Sequence, residues 1–274
     1  MGSVRPAQPA CFPLDAELGL LRGQLTPRLQ EGLVRLSTQI PVFAKAATEV
    51  AFWTQVEVHR TTAGRLTEAA GATVVAIQTA QADHILRTHP LPPPGPERLV
   101  LSGDGAMVAL VHGQWAEVRT LAVGEPISGT SAAGQQEVHT TARSYVSRGI
   151  ASATFAELAT VEIHRRGVET ADQVGGVVDG AEGCQTFLAL HAPQARRILE
   201  FPHAASYVDA MGQSEGMDGP LQDADGRRQL IPDLKHAGPI GVLADLRTLV
   251  AAAQAPGETS TPLAYLEKRV AQLD

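Results

Sequence analysis

The sequence predicts an α/β protein built on a mixed sheet, preceded by an all-α region and followed by a further helical segment. Three observations carry this prediction. Between Thr26 and Thr88 the apolar residues recur at helical spacings. Five prolines fall within His89–Pro96, a composition that neither a helix nor a central strand accepts. Beyond them the apolar period shortens, and the predicted order becomes βββ-α-β-α-β, three antiparallel strands followed by alternating helix and strand.

Bulk properties bound the rest. With 274 residues the chain can bury a sizeable core. Hydrophobic residues make up 44% but aromatics only 4%, so that core must come mostly from Ala, Val and Leu. The two cysteines, Cys11 and Cys184, suggest a reducing compartment and exclude a disulfide scaffold or a four-cysteine zinc site. No apolar run approaches a membrane span, and the N-terminus lacks a charged-then-apolar leader. The expectation is a soluble intracellular protein. A net charge of -7 argues against non-specific coating of nucleic acid but leaves room for a local basic patch.

Residues 1–25 read as an irregular arm, with Cys11 and Phe12 available to pack onto the body. Residues 26–88 read as helical. Thr26-Pro27 is a helix start, Thr as N-cap and Pro in the first turn. Leu29, Leu33, Leu36 and Ile40 share a face, and Pro41 ends the helix. A second helix covers about Val42–Trp53, with Phe43, Ala46, Ala47, Val50 and Phe52 or Trp53 apolar. After a short connection a third runs from about His59 to Ala70 and stops at Gly71, with helix resuming over Ala72–Arg87. This order fits a helix-turn-helix. His59, Arg60, Thr61, Thr62 and Arg65 would contact base edges or phosphates, and Lys45 could reach a phosphate. An ordinary three-helix packing unit fits the same pattern.

Residues 89–98 form the predicted linker and domain boundary. Strands are expected at Leu99–His112, Trp115–Glu125 and Gln136–Ser147. Thr154-Phe155-Ala156-Glu157 is a capping-box pattern that opens a helix to about Arg166. A strand bearing Asp179, a helix from Glu182 to His191 and a strand over Ala195–Phe201 complete the series. Trp115 and Tyr145 are expected in the core. The order is that of a ribonuclease-H-like fold. Residues 204–274 are expected to be mostly helical. There Asp223–Arg228 reads as a charged loop, and Thr261-Pro262 caps a last helix, Leu263–Leu273.

Two stretches carry chemistry. Asp104-Gly105-Ala106 and Asp179-Gly180-Ala181 place the same triplet at two predicted strands. Burying an unpaired carboxylate is costly, so each aspartate is either a turn residue or a group held for a ligand. Two carboxylates converging at strand ends would suit a divalent cation and phosphoryl chemistry.

Several motifs together carry a family likeness. They are Phe12-Pro13-Leu14-Asp15, Leu25-Thr26-Pro27-Arg28-Leu29-Gln30, Arg65-Leu66-Thr67-Glu68-Ala69-Ala70-Gly71, Asp104-Gly105-Ala106-Met107-Val108, Val178-Asp179-Gly180-Ala181-Glu182, Phe201-Pro202-His203-Ala204 and Tyr265-Leu266-Glu267-Lys268-Arg269. From about residue 11 onward the chain resembles bacterial insertion-sequence transposases of the ISKra type, within the Mutator-like DDE transposases. The resemblance implies a helix-turn-helix DNA-binding region, a ribonuclease-H-like catalytic core over 99–203 and a helical insertion over 204–274. It implies two Mg²⁺ or Mn²⁺ ions held by two Asp and one Glu, one activating the attacking water or 3′-hydroxyl and the other stabilising the leaving oxygen. Asp104 and Asp179 match the two aspartates, and Glu200 and His203 stand at the positions of an Asp-x-x-His motif, with Glu in place of Asp. His203 is thus a candidate catalytic residue, although a structural histidine fits the same position. Implied partners are DNA, both terminal inverted repeats and target, and a second copy in a homodimer. The implied setting is the bacterial cytoplasm, at the nucleoid.

The chain also departs from the family pattern. The family's third acid lies in a Gly-Ser-Gly…Glu-Ser segment beyond the Leu-Glu-Lys-Arg helix, past Asp274. Glu267 belongs to that helix and is not expected to replace it. Glu182 reads as a capping or solvated residue. Gly183-Cys184 stands where the family has Trp and an aliphatic residue, and Gly103 where it has a larger side chain. The expectation is a transposase chain truncated at its C-terminus and inactive by itself. The alternatives are a non-enzymatic, transposase-derived DNA-binding protein and an unrelated phosphoryl-transfer hydrolase.

Overall fold

The computed structural model describes residues 17, 25–130, 134, 136–213, 224–252 and 256–273. Most of the expected N-terminal arm, including Cys11 and Phe12, lies outside these residues, as does Asp223. The described chain holds nine α-helices and a five-stranded mixed sheet. It divides into two compact units, one ending at Ala80 and one beginning at Gln81.

The first unit contains α1 (Pro27–Gln39), α2 (Phe43–Thr54) and the first part of α3 (Arg60–Thr88). Thr26 caps α1 as its sequence requires, its hydroxyl accepting from Leu29 N–H at 3.3 Å. Leu25, Leu33, Ala47, Val50 and Ala63 form the core, flanked by Leu29, Leu36, Val58 and Leu66. Phe52 and Trp53 are exposed, contrary to a core role for either, because Ala46, Ala47 and Val50 already take the inward face of α2. Gly71 does not end α3, which runs unbroken for 29 residues. Ala69, Ala70, Ala72 and Ala76 around it favour helix enough to absorb the roughly 1 kcal/mol that an interior glycine costs.

In the second unit the proline segment is not a free linker. Thr170 Oγ1 donates to Pro93 O at 2.6 Å and accepts from Gly95 N–H at 2.8 Å, so the segment lies against the turn before β4. The strands are β1 (Arg98–Ala109), β2 (Trp115–Thr130), β3 (Gln136–Arg148), β4 (Gln173–Val178) and β5 (Arg196–Leu199). Their order across the sheet is β3-β2-β1-β4-β5. The first three pair antiparallel, and β4 and β5 add in parallel to β1. Strand β1 stops before His112, which takes a positive φ of 62° in a short 3₁₀ turn. Strand β2 outruns its expected end at Glu125, continuing along β3 past an irregularity between Val123 and Glu125.

Helices α4 (Ser152–Arg165) and α5 (Glu182–His191) cover one sheet face. Leu99, Leu101, Leu121, Val123, Ile163 and Leu188 fill that core with aliphatic side chains, and Phe155 is the one fully buried aromatic among the described residues. Trp115 and Tyr145 are exposed, not in the core; they stand on the solvent-facing parts of β2 and β3. The Thr154–Glu157 capping box does not form, since α4 begins two residues earlier behind Ala151.

The last third is helical: α6 (Phe201–Gln213), α7 (Ala224–His236), α8 (Pro239–Ala252) and α9 (Pro256–Lys268). Leu199, Val208, Met211, Leu243, Leu246 and Leu266 form a separate core there. Phe201 opens a helix where a strand was expected. The backbone of 224–228 is helical, not a loop, and the final helix starts at Pro256, with Pro262 inside it. No helix among the described residues is long and apolar enough to cross a membrane.

Candidate functional site

The parallel register builds the site. Gly103 pairs with Val178, and Val178 with Leu199, across β1, β4 and β5. The next residues on the three strands are Asp104, Asp179 and Glu200. Asp179 and Glu200 thus follow the ends of β4 and β5, whereas Asp104, expected at a strand end, lies within β1, which continues to Ala109; neighbouring strands are about 4.8 Å apart. Asp104 and Asp179 both line a cleft of about 360 Å³, with Glu117, Arg119 and Cys184. Sequence spacing of 75 residues brought these aspartates together only because β4 lies parallel to β1.

The two aspartates are held differently. Asp104 is not a turn residue: it sits in β1 opposite Thr120, exposed, and its Oδ1 accepts from Gly105 N–H at 2.7 Å. Asp179 follows the last residue of β4 and is half-buried. Its Oδ1 accepts from Ala181 N–H at 2.8 Å, just ahead of α5. Glu200 lies between β5 and α6, and its Oε2 is 3.1 Å from Nδ1 of His203 in the first turn of α6. His203 is therefore paired with Glu200. Glu182 is exposed at the start of α5, as expected of a solvated residue. Glu267 pairs with Arg247 on α8, consistent with its exclusion as an acid of the site.

Cys184 forms the floor of the cleft. Its thiol donates to Gly103 O at 3.4 Å. Burial, then the carboxylates of Asp179, Asp104 and Glu200, push its pKa up to about 12, so it keeps its proton at neutral pH. Glu117 and Arg119, one strand over, form an ion pair, and Arg119 also donates to Ile150 O at 2.6 Å. The sequence reading missed both. The signal was an acid and a base two apart on a strand, hence on one face.

Paired carboxylate oxygens are hard donors that suit Mg²⁺ or Mn²⁺, and Mg²⁺ characteristically takes one or two carboxylates while keeping several waters. Asp104 and Asp179 are the aspartates of the cleft that could hold such an ion; the protonated Cys184 thiol would be a poor ligand for it. Among the described residues no group of three His, Cys, Asp or Glu is arranged to hold a metal.

In the first unit Lys45 stands exposed on α2, and Arg60, Thr61 and Arg65 stand exposed on the opening turns of α3. Thr62 is half-buried. His59 precedes the helix: its carbonyl accepts from Thr62 and Ala63 N–H, and its Nδ1 lies 2.8 Å from Thr61 Oγ1. It is a cap first. A groove of about 560 Å³ between α2 and this helix start is lined by Thr48, Ala51, Glu57, His59 and Arg60. A Cβ on Gly64 would lie 3.2 Å from the Phe43 ring, so the glycine lets α3 pack closely on α2.

Compared with known proteins, the chain matches no family model and no curated protein.

Proposed function

We propose that the chain is the DNA-binding and ribonuclease-H-like part of a DDE-type transposase, acting in metal-dependent cleavage and strand transfer of DNA. The single observation that carries this reading is the parallel register of β1 and β4, whose last pair, Gly103 with Val178, is followed by Asp104 within β1 and by Asp179 just past the end of β4. The strand order β3-β2-β1-β4-β5, with the two acids on its central pair, supports the ribonuclease-H-like assignment. The motif resemblance from Phe12 to Arg269 supports the transposase assignment.

A bound Mg²⁺ or Mn²⁺ would supply Lewis-acid polarisation of a phosphate oxygen and a lowered pKa for a bound water. The chain's own residues would do the rest. Asp104 and Asp179 present the ligand oxygens. Arg119 and Glu117 wall one side of the cleft. Glu200 holds His203 in the first turn of α6. The expected result for this chain is Mn²⁺ binding at Asp104 and Asp179. Mn²⁺ titration should show binding in the intact chain that Asp104→Asn and Asp179→Asn each abolish. Binding unaffected by both substitutions overturns the reading.

A second reading is favoured by the exposed bases at the start of α3: a transposase-derived protein that only binds DNA, as a monomer or a homodimer. It expects salt-sensitive binding to a specific end sequence, weakened by Arg60→Ala and Arg65→Ala. Equal affinity for unrelated duplexes at moderate salt removes it.

A further inference from the structure

Tyr265 of α9 and Arg269, the residue that follows the helix, grip the loop that carries Asp179 from 86 and 89 positions away. Tyr265 Oη donates to Asp179 O. Arg269 Nε donates to Gly180 O at 2.9 Å, and its Nη2 donates to the same oxygen. Arg269 is only 9% exposed, and its guanidinium lies 3.7 Å over the Tyr265 ring. Its remaining described contact is Tyr265 O at 3.2 Å. A buried guanidinium that spends its donors on carbonyl oxygens is costly to desolvate. Its described hydrogen-bond acceptors are backbone carbonyls of the acid-bearing loop and of the last turn of α9.

The peptide plane makes this grip directional. Gly180 C=O and Ala181 N–H belong to one rigid unit. Arg269 holds the oxygen of that unit, and Asp179 Oδ1 accepts from its N–H. The preceding plane, which carries Asp179 O, is held by Tyr265. Between the two planes Gly180 adopts φ 79°, and a Cβ there would lie 2.6 Å from Arg269 Nε. The stacked ring of Tyr207, 3.9 Å from that of Tyr265, braces the clamp from α6. Burial pushes the Tyr265 hydroxyl up to about 12, so it remains a donor across the neutral range.

We propose that Tyr265 and Arg269 are positioning residues: they fix the two peptide planes around Gly180 and thereby aim the Asp179 carboxylate at the position it shares with Asp104. This rests on the reading of that pair as cation ligands. It gives the Tyr265–Arg269 motif a role that does not involve Glu267.

The test uses the full chain, with Mn²⁺ alone as probe and with metal-free hydrogen exchange as a second readout. Tyr265→Phe removes one hydroxyl and keeps the stack; Arg269→Lys keeps the charge and loses the fork. Both should weaken Mn²⁺ binding by about 10-fold, the scale seen when groups behind a metal ligand are lost. Both should speed amide exchange at Gly180–Glu182 while unfolding stays cooperative. Wild-type Mn²⁺ affinity in both variants overturns the proposal, as does unchanged exchange at those amides. If Arg269→Lys does not fold, Tyr265→Phe decides alone. If the unsubstituted chain binds no Mn²⁺, the cation reading falls, and exchange at Gly180–Glu182 still decides whether the clamp orders the loop.

Discussion

The triplet Asp-Gly-Ala occurs at two adjacent strands and is used in two different ways. At Asp104 the backbone stays extended and β1 continues to Ala109. At Asp179 the strand has ended, Gly180 turns left-handed, and Tyr265 of α9 with Arg269 just past that helix hold the carbonyls. Glycine at 105 serves space, because a Cβ there would meet the tip of the Glu117 side chain. Glycine at 180 serves conformation as well as space. One carboxylate is thus presented by a strand and the other by a braced turn. A ligand pair built this way has one rigid arm and one whose aim depends on a remote helix.

The largest expected effect comes from Gly180→Ala. It forces a positive φ on alanine and drives a methyl into Tyr265 and Arg269, which together should cost roughly 2–4 kcal/mol. Urea unfolding followed by circular dichroism, at constant m, measures it. A loss below about 1 kcal/mol would mean that the turn is as tolerant as the strand, and the contrast between the triplets would collapse.

Acid should separate the two triplets next. His191 ends α5, the helix that follows Asp179, and its ring lies 4.5 Å from that of Phe187. Burial lowers its pKa from 6.5 to about 4. Between those values the unfolded chain binds more protons than the folded one, so stability is full above about pH 6.5 and falls as pH drops toward 4. The ceiling is on the order of 3 kcal/mol. His191→Leu should flatten this slope. Hydrogen exchange at pH 5, corrected for intrinsic rates, should rise in α5 relative to Gly103–Ala106. An unchanged slope in His191→Leu places the acid sensitivity elsewhere.

Much of this layout was legible in the sequence, and the rest fails for definable reasons. The strand starts at Trp115 and Gln136, the helix Glu182–His191 and the Thr26 cap follow from local period and capping chemistry. The Asp104–Asp179 pairing was legible as a repeated triplet, but its register required β4 to lie parallel to β1, which no local signal states. Gly71 misled because a helix stop needs a left-handed residue, and nothing in the sequence showed that Gly71 would stay right-handed among alanines. Exposed Trp115 and Tyr145 misled because apolar character was read as burial. The clamp was out of reach: Tyr265 and Arg269 stood in a noticed motif, yet their targets are main-chain carbonyls, which every residue carries. The family resemblance rests on the motifs alone.

Removing the carboxylates themselves should reproduce the contrast on a smaller scale. Asp179→Ala loses the acceptor for Ala181 N–H in the turn ahead of α5 and should cost about 1 kcal/mol, the scale of one hydrogen bond. Asp104→Ala removes an exposed side chain whose described hydrogen bond is to its own neighbour, and should stay within about 0.5 kcal/mol. Parallel urea titrations of the two variants compare them directly. Equal losses would show that β1 also depends on its aspartate.

The smallest effect belongs to Gly105→Ala, and its sign is informative. A Cβ at 105 would stand 3.3 Å from Glu117 Cδ and closer still to its carboxylate oxygen. That oxygen ends a flexible side chain, so it can swing away where a backbone could not. The swing loosens Glu117 from Arg119, an exposed-side pair worth at most about 1 kcal/mol. Against this, alanine narrows the unfolded ensemble and fits an extended strand, a gain of about 0.4–1 kcal/mol. The two nearly cancel, so Gly105→Ala should leave the urea midpoint almost unmoved while Gly180→Ala lowers it sharply. A large loss at 105 would mean that Glu117 is fixed in place and cannot yield. The first triplet would then be braced through β2 as the second is through α9, and the cleft would have two rigid arms.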